Sequence, residues 1–167
     1  MGAYIAKTDA DGVSVGPNAC ILMGDLDASA DTVTMDYDVF QASSIVIIDQ
    51  EHVTLSARGL SPVFSRGADG TTPAIHYQGA RARLKGGKEV LSHTFDGATW
   101  LSQINVGADV EMMYVVEVDG VEFRPRMTTT MRLHDDFPFI RYKPAAGVTI
   151  KVKAWTWVPG NVWAEFV

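Results

Sequence analysis

The stretch Val115-Val116-Glu117-Val118-Asp119-Gly120-Val121-Glu122 decides the class of fold. Asp-Gly stands between two runs rich in β-branched residues. A two-residue type I′ turn needs positive φ at both central positions, which Asp and Gly tolerate best. The reading is an antiparallel hairpin. Outward from it, similar runs recur at 44–49, 52–57, 89–95, 99–106, 110–118, 121–123, 127–133, 139–142 and 148–158. Residues 32–39 alternate cleanly, with Val33, Met35, Tyr37 and Val39 against Thr32, Thr34, Asp36 and Asp38, which predicts a half-buried strand. No stretch of a dozen residues carries helical spacing. Phe95-Asp96-Gly97-Ala98, Lys85-Gly86-Gly87-Lys88 and Pro159-Gly160-Asn161 read as further hairpin turns, and residues 60–73 as a long surface loop. The expectation is an all-β chain: a single antiparallel β-sandwich domain over residues 1–167, jelly-roll-like, with very little helix.

The bulk composition agrees with one globular domain. Of 167 residues, 47% are hydrophobic and 20% charged, too apolar for a disordered chain. The longest apolar run, at 45–48, is far below the roughly 20 residues that span a bilayer. No charged segment followed by an apolar stretch marks a signal peptide, and after Met1-Gly2 the residue at position 6 is Ala6, where a myristoylation site wants Ser or Thr. Neither membrane attachment nor export by such a signal is expected. The single cysteine, Cys20, excludes a disulfide within the chain and any multi-thiolate metal site. It lies in an apolar run and reads as a buried, inert thiol. The net charge is −6, and residues 1–57 hold nine acids and one base, Lys7. That acidity argues against nucleic acid as a partner. The charge segregation could let copies pack acidic face to basic face.

Motifs for chemistry lack their context. Gly12-Val13-Ser14-Val15-Gly16 matches a hydrolase nucleophile elbow, but Pro17 follows where a helix is required. It reads as a glycine-flanked turn. Asp9-x-Asp11-Gly12 opens like a calcium loop and then fails, with Val13 and Val15 at ligand positions and no closing Glu. Asp25, Asp27 and Asp31 are a looser candidate for calcium, against solvated loop acids. His52, His76, His93 and His134 are scattered and belong to no short ligand motif. No catalytic residue, metal site or cofactor follows from the sequence.

Two groups of residues suggest binding. Arg81, Arg83 and Lys85 alternate with Ala82 and Leu84, and a stripe of this kind can grip an anionic partner or simply discourage edge pairing. In 148–158 the even positions, from Val148 and Ile150 to Val158, read as a core face. Lys151, Lys153, Trp155 and Trp157 read as the opposite face, followed by Trp163 after the turn. Exposed tryptophans need a cover, which could be the domain's own loops, another subunit or a sugar ring.

The hairpin at 115–122, the Thr-rich 128–133 and the strand at 148–152 resemble the closing half of the jelly-roll heads of tumour-necrosis-factor-like and complement-like trimers. The whole chain resembles small accessory proteins of tailed-phage virions, such as head decoration or head fibre proteins. These resemblances imply a non-enzymatic assembly protein that associates with itself and docks on a capsid or tail, located on the virion after assembly in the host cytoplasm. The alternative is a carbohydrate- or receptor-binding sandwich that stacks a glycan on Trp155, Trp157 or Trp163.

Overall fold

The computed structural model describes residues 4–167, so Met1-Gly2 lies outside the described residues. These form strands and no helix. In chain order the strands begin β1 (Ala6–Lys7), β2 (Val13–Val15), β3 (Ala19–Ile21), β4 (Ile45–Ile48) and β5 (Glu51–Ala57). There follow β6 (Val63–Ala68), β7 (Arg81–Leu84), β8 (Lys88–Thr94), β9 (Leu101–Ala108) and β10 (Met112–Val118). The last are β11 (Val121–Glu122), β12 (Arg126–Met127), β13 (His134–Tyr142), β14 (Thr149–Thr156) and β15 (Gly160–Phe166). Every named pair is antiparallel. Where the sequence reading has one domain, the chain divides into two compact units. One combines the residues up to Gly16 with Lys88–Val167, and the other is Pro17–Gly87. Each has its own core.

The larger unit is a sandwich. One sheet runs β1-β15-β9-β13, with β2 also on β15, and the other runs β11-β10-β14-β8, with β12 also on β10. Alternation turns Ile104 and Val106 of β9 and Val162, Ala164 and Phe166 of β15 inward. They meet Tyr114, Val116, Ile150, Val152 and Ala154 of the second sheet. The hairpin at Asp119-Gly120 forms as read, with φ of 47° and 82° and Val118 facing Val121.

The other three predicted hairpins are corrections, because strands flanking a turn need not pair. Asp96 accepts from the backbone N–H groups of Ala98 and Thr99, and the turn carries the chain from β8 in one sheet to β9 in the other. Pro159-Gly160-Asn161 crosses between sheets in the same way, from β14 to β15. Gly86-Gly87 ends the smaller unit and leads into β8. The Thr-rich segment is also corrected: beyond β12 it tightens into a turn closed between Thr129 and Arg132 rather than a strand.

The smaller unit is one sheet, β3-β7-β4-β5-β6. One face buries Cys20, Ala82, Val46, Ile48, Val53, Leu55 and Phe64 against Leu22, Leu26, Val33, Met35 and Phe40. Residues 32–39 form no named strand and are held by isolated bridges, Thr32 to Val63 and Leu22 to Met35, and by hydrogen bonds between Asp36 and Ile21 of β3. The alternation holds at Val33 and Met35, which are buried, and fails at Tyr37, which is 56% exposed; no ladder forms over the segment. The loop expected over 60–73 contains β6, which pairs with β5 in spite of its Ser, Gly and Pro neighbours. Cys20 is fully buried beside the Met35 sulfur at 3.1 Å. Burial, then the charge of Asp36, push its thiol up to about 12, so it is unreactive at neutral pH.

Candidate functional site

Gly12 and Gly16, the glycines of the hydrolase-like pattern, are structural. Both have left-handed φ, 72° and 74°. A Cβ at Gly16 would fall 2.0 Å from the Thr156 hydroxyl, and one at Gly12 would fall 2.8 Å from the Trp163 ring. Ser14 sits in β2, exposed and paired with Asn161, away from the strand-turn-helix frame that activates a serine.

The sequence-derived binding residues are divided between the two units, Arg81, Arg83 and Lys85 in the smaller and Lys151, Lys153, Trp155, Trp157 and Trp163 in the larger. Arg81 and Arg83 lie on β7, which is flanked by β3 and β4, so they guard no sheet edge. Lys85 donates to Asp69 at 2.7 Å. Lys151 pairs with Glu89, and Lys153 with Glu117 and Glu122. Burial disfavours the charged Lys153, but the Glu117 carboxylate outweighs it and holds the ammonium above its ordinary value. The register of β14 on β10 is unbroken, so Trp155 does share the lysines' face. Yet Trp155 is 0% exposed, so its ring is no open platform, and Trp157 is half-buried. Trp163 belongs to the other sheet.

Two of the three acids proposed for calcium, Asp25 and Asp27, are engaged locally. Asp25 accepts from the Gln78 N–H, and Asp27 from the N–H and hydroxyl of Ser29, which hold its carboxyl below the usual range. No group of three His, Cys, Asp or Glu among the described residues could hold a metal ion.

Glu51, invisible to motif reading, anchors the strongest polar cluster of the smaller unit. Arg66 donates to its two carboxylate oxygens from Nε and Nη2, both at 2.8 Å. The N–H groups of Gly67 and Ala74 donate at 3.1 and 3.0 Å, and His76 Nε2 lies at 2.8 Å. Burial raises the Glu51 pKa, but these donors together prevail and bring it to about 2. Arg66 also donates to the carbonyls of Asp27, Ala30 and Ala74. His76 Nδ1 faces Asp49 at 2.7 Å. With both ring nitrogens against carboxylates, His76 has none left to take a proton from a substrate. The cluster ties loops to a sheet. One signal for it was present in the sequence: Glu51 is in phase with the inward residues Val53 and Leu55.

A half-buried carboxylate, Asp135, joins the two sheets of the sandwich. It accepts from the Tyr114 hydroxyl at 2.6 Å and from Arg126 Nε at 2.6 Å and Nη2 at 3.1 Å. Burial raises its pKa, and Arg126 and then Tyr114 more than reverse that.

Two surfaces of the larger unit remain. The first is a groove of about 490 Å³ on the outer face of the β1-β15-β9-β13 sheet. Register sets Trp163, Gly107 and His134 side by side in one row, and Glu165, Asn105 and Asp136 in the next, with Lys7 beyond Glu165. The indole Nε1 of Trp163 donates to the Ala10 carbonyl at 2.8 Å. The second surface is the end of β13. Its pairing with β9 slips between Pro138 and Tyr142, and the bulge pushes Ile140 out to 92% exposure. On the inward side of the strand Phe123 lies edge-on to Phe137 and Phe139, and Phe139 stacks on Tyr142 at 5.3 Å, with Phe137, Phe139 and Tyr142 packed against the core; Lys143 lies over Trp100.

Comparison with known proteins found no matching family model, no matching curated protein and no matching solved structure. No helix among the described residues is long and apolar enough to cross a membrane.

Proposed function

We propose that the chain is a non-enzymatic structural protein, an accessory decoration or fibre protein of a phage virion, acting by self-association and by docking on a larger protein shell. The exposed side chain of Ile140 carries this reading. An isoleucine that is 92% exposed is costly for an isolated domain, and large apolar side chains left in solvent mark protein interfaces. Pro138 and the bulge interrupt the outer edge of β13, so the contact is a knob entering a partner's hollow rather than an added strand.

The strand order supports a jelly roll for the larger unit. Its strands pair from the outside in: β2 with β15, β8 with β14, β9 with β13 and β10 with β11. Jelly rolls occur in viral capsid proteins and in lectins alike, so the order narrows the architecture and leaves the function to the surface.

Sedimentation of the intact chain at micromolar concentration should give a trimer or higher assembly. Ile140→Asp should weaken association at least tenfold while leaving the denaturation midpoint unchanged, because the side chain is already in solvent. A monomeric wild type, or an Ile140→Asp variant that assembles normally, would overturn the reading.

A further inference from the structure

We infer that the groove beside Trp163 is a saccharide-binding site, selective for neutral or amine-bearing sugars over acidic ones. The inference stands apart from the assembly reading, since it concerns a different face and different residues. Its volume, about 490 Å³, is in the range of small-ligand sites.

The groove has the parts that sugar recognition needs. Trp163 is fixed by its pyrrole edge, through the Nε1 bond to Ala10 and contact with Gly12, so the ring is held without losing its groove-facing surface. A rigid aromatic face takes up the C–H side of a sugar at little entropic cost. Gly107 lies between Trp163 and His134 in the row, so a gap two strand spacings wide, about 9.5 Å, has no side chain in its middle. Nothing in the fold demands glycine there. A Cβ on Gly107 would meet no atom closer than 3.8 Å, and its φ is not left-handed. The missing side chain leaves a dip of sugar-ring width between an aromatic face and an imidazole.

The polar groups around the dip are available. The side chains of His134, Asp136 and Glu165 have no hydrogen-bond or ion-pair partner among the described residues, unlike Asp135 one residue away, which is fully engaged. Asn105 uses its carbonyl oxygen on Gln103 and keeps its NH₂. Carboxylates accept from hydroxyls, and the amide donates to them. Asp9, Asp136 and Glu165 against Lys7 leave the lining acidic, which repels uronic and sialic acids and favours neutral or cationic sugars.

Calorimetric titration with maltotetraose, cellotetraose, a glucosamine tetramer and a galacturonic-acid trimer tests the assignment, after a glycan array has covered the wider range. Binding is expected at millimolar or lower concentration for a neutral or amine-bearing glycan, and none for the acidic trimer. Gly107→Leu, which fills the dip, and Trp163→Ala should each lower affinity at least tenfold. Trp163→Phe should retain part of it. Melting curves check that each variant is folded, and sedimentation should show assembly unchanged, so that failure of this site and failure of the Ile140 interface are read separately. No retention of any neutral or amine-bearing glycan, binding of acidic glycans alone, or full affinity in folded Gly107→Leu would each overturn the inference.

Discussion

Arg66→Met is expected to destabilise the Pro17–Gly87 unit by about 3–5 kcal/mol, the cost of leaving a buried carboxylate without its cation. Glu51 is 3% exposed and Arg66 supplies two of its five donors, so neither water nor another side chain can replace the guanidinium. The same substitution also frees three loop carbonyls that Arg66 now satisfies. Exposed Arg58 with Asp38 is the internal control: removing that pair should cost under about 1 kcal/mol. The pH dependence follows from the shift. Glu51 has a folded pKa of about 2 against an ordinary 4.5, so its stabilisation, about 3 kcal/mol, is complete above pH 4.5 and is lost as pH falls toward 2. Glu51→Gln should be less stable at neutral pH and should flatten the acid limb between those values. Urea midpoints measured from pH 7 to pH 2 decide both points. An Arg66→Met midpoint within about 1 kcal/mol of wild type, or an acid limb untouched by Glu51→Gln, would show that the cluster is dispensable.

Trp155→Ala is the second large effect, and it should fall on folding rather than on assembly. The ring is completely buried although strand alternation places it with Lys151 and Lys153, so truncation opens a cavity and costs about 3–5 kcal/mol. Trp155→Phe should lose less, because more of the volume is kept. Denaturation by urea, followed by far-ultraviolet circular dichroism, gives the stability, and sedimentation below the transition gives the assembly state. If Trp155→Ala melted like the wild type and only failed to assemble, the ring would be an interface residue after all.

Local sequence determined the strand class, the Asp119-Gly120 hairpin and which side chains of each strand share a face. These depend on two-residue periodicity and on turn conformations that Asp and Gly adopt at low cost, information carried by neighbours in the chain. The same periodicity sets Trp163 and Glu165 of β15 opposite Val162, Ala164 and Phe166. Tertiary structure alone decided which strands meet. Asp96-Gly97 and Pro159-Gly160 look like hairpin turns, and both send the chain to the opposite sheet, because pairing depends on partners far away in sequence. The same long-range register aligns Trp163 with Gly107 and His134, residues drawn from three separated segments, and no spacing rule links them. Burial was likewise a property of the assembled fold. Alternation assigned Trp155 to the lysine face correctly, but whether a face meets water is fixed by what packs over it, which no single strand encodes.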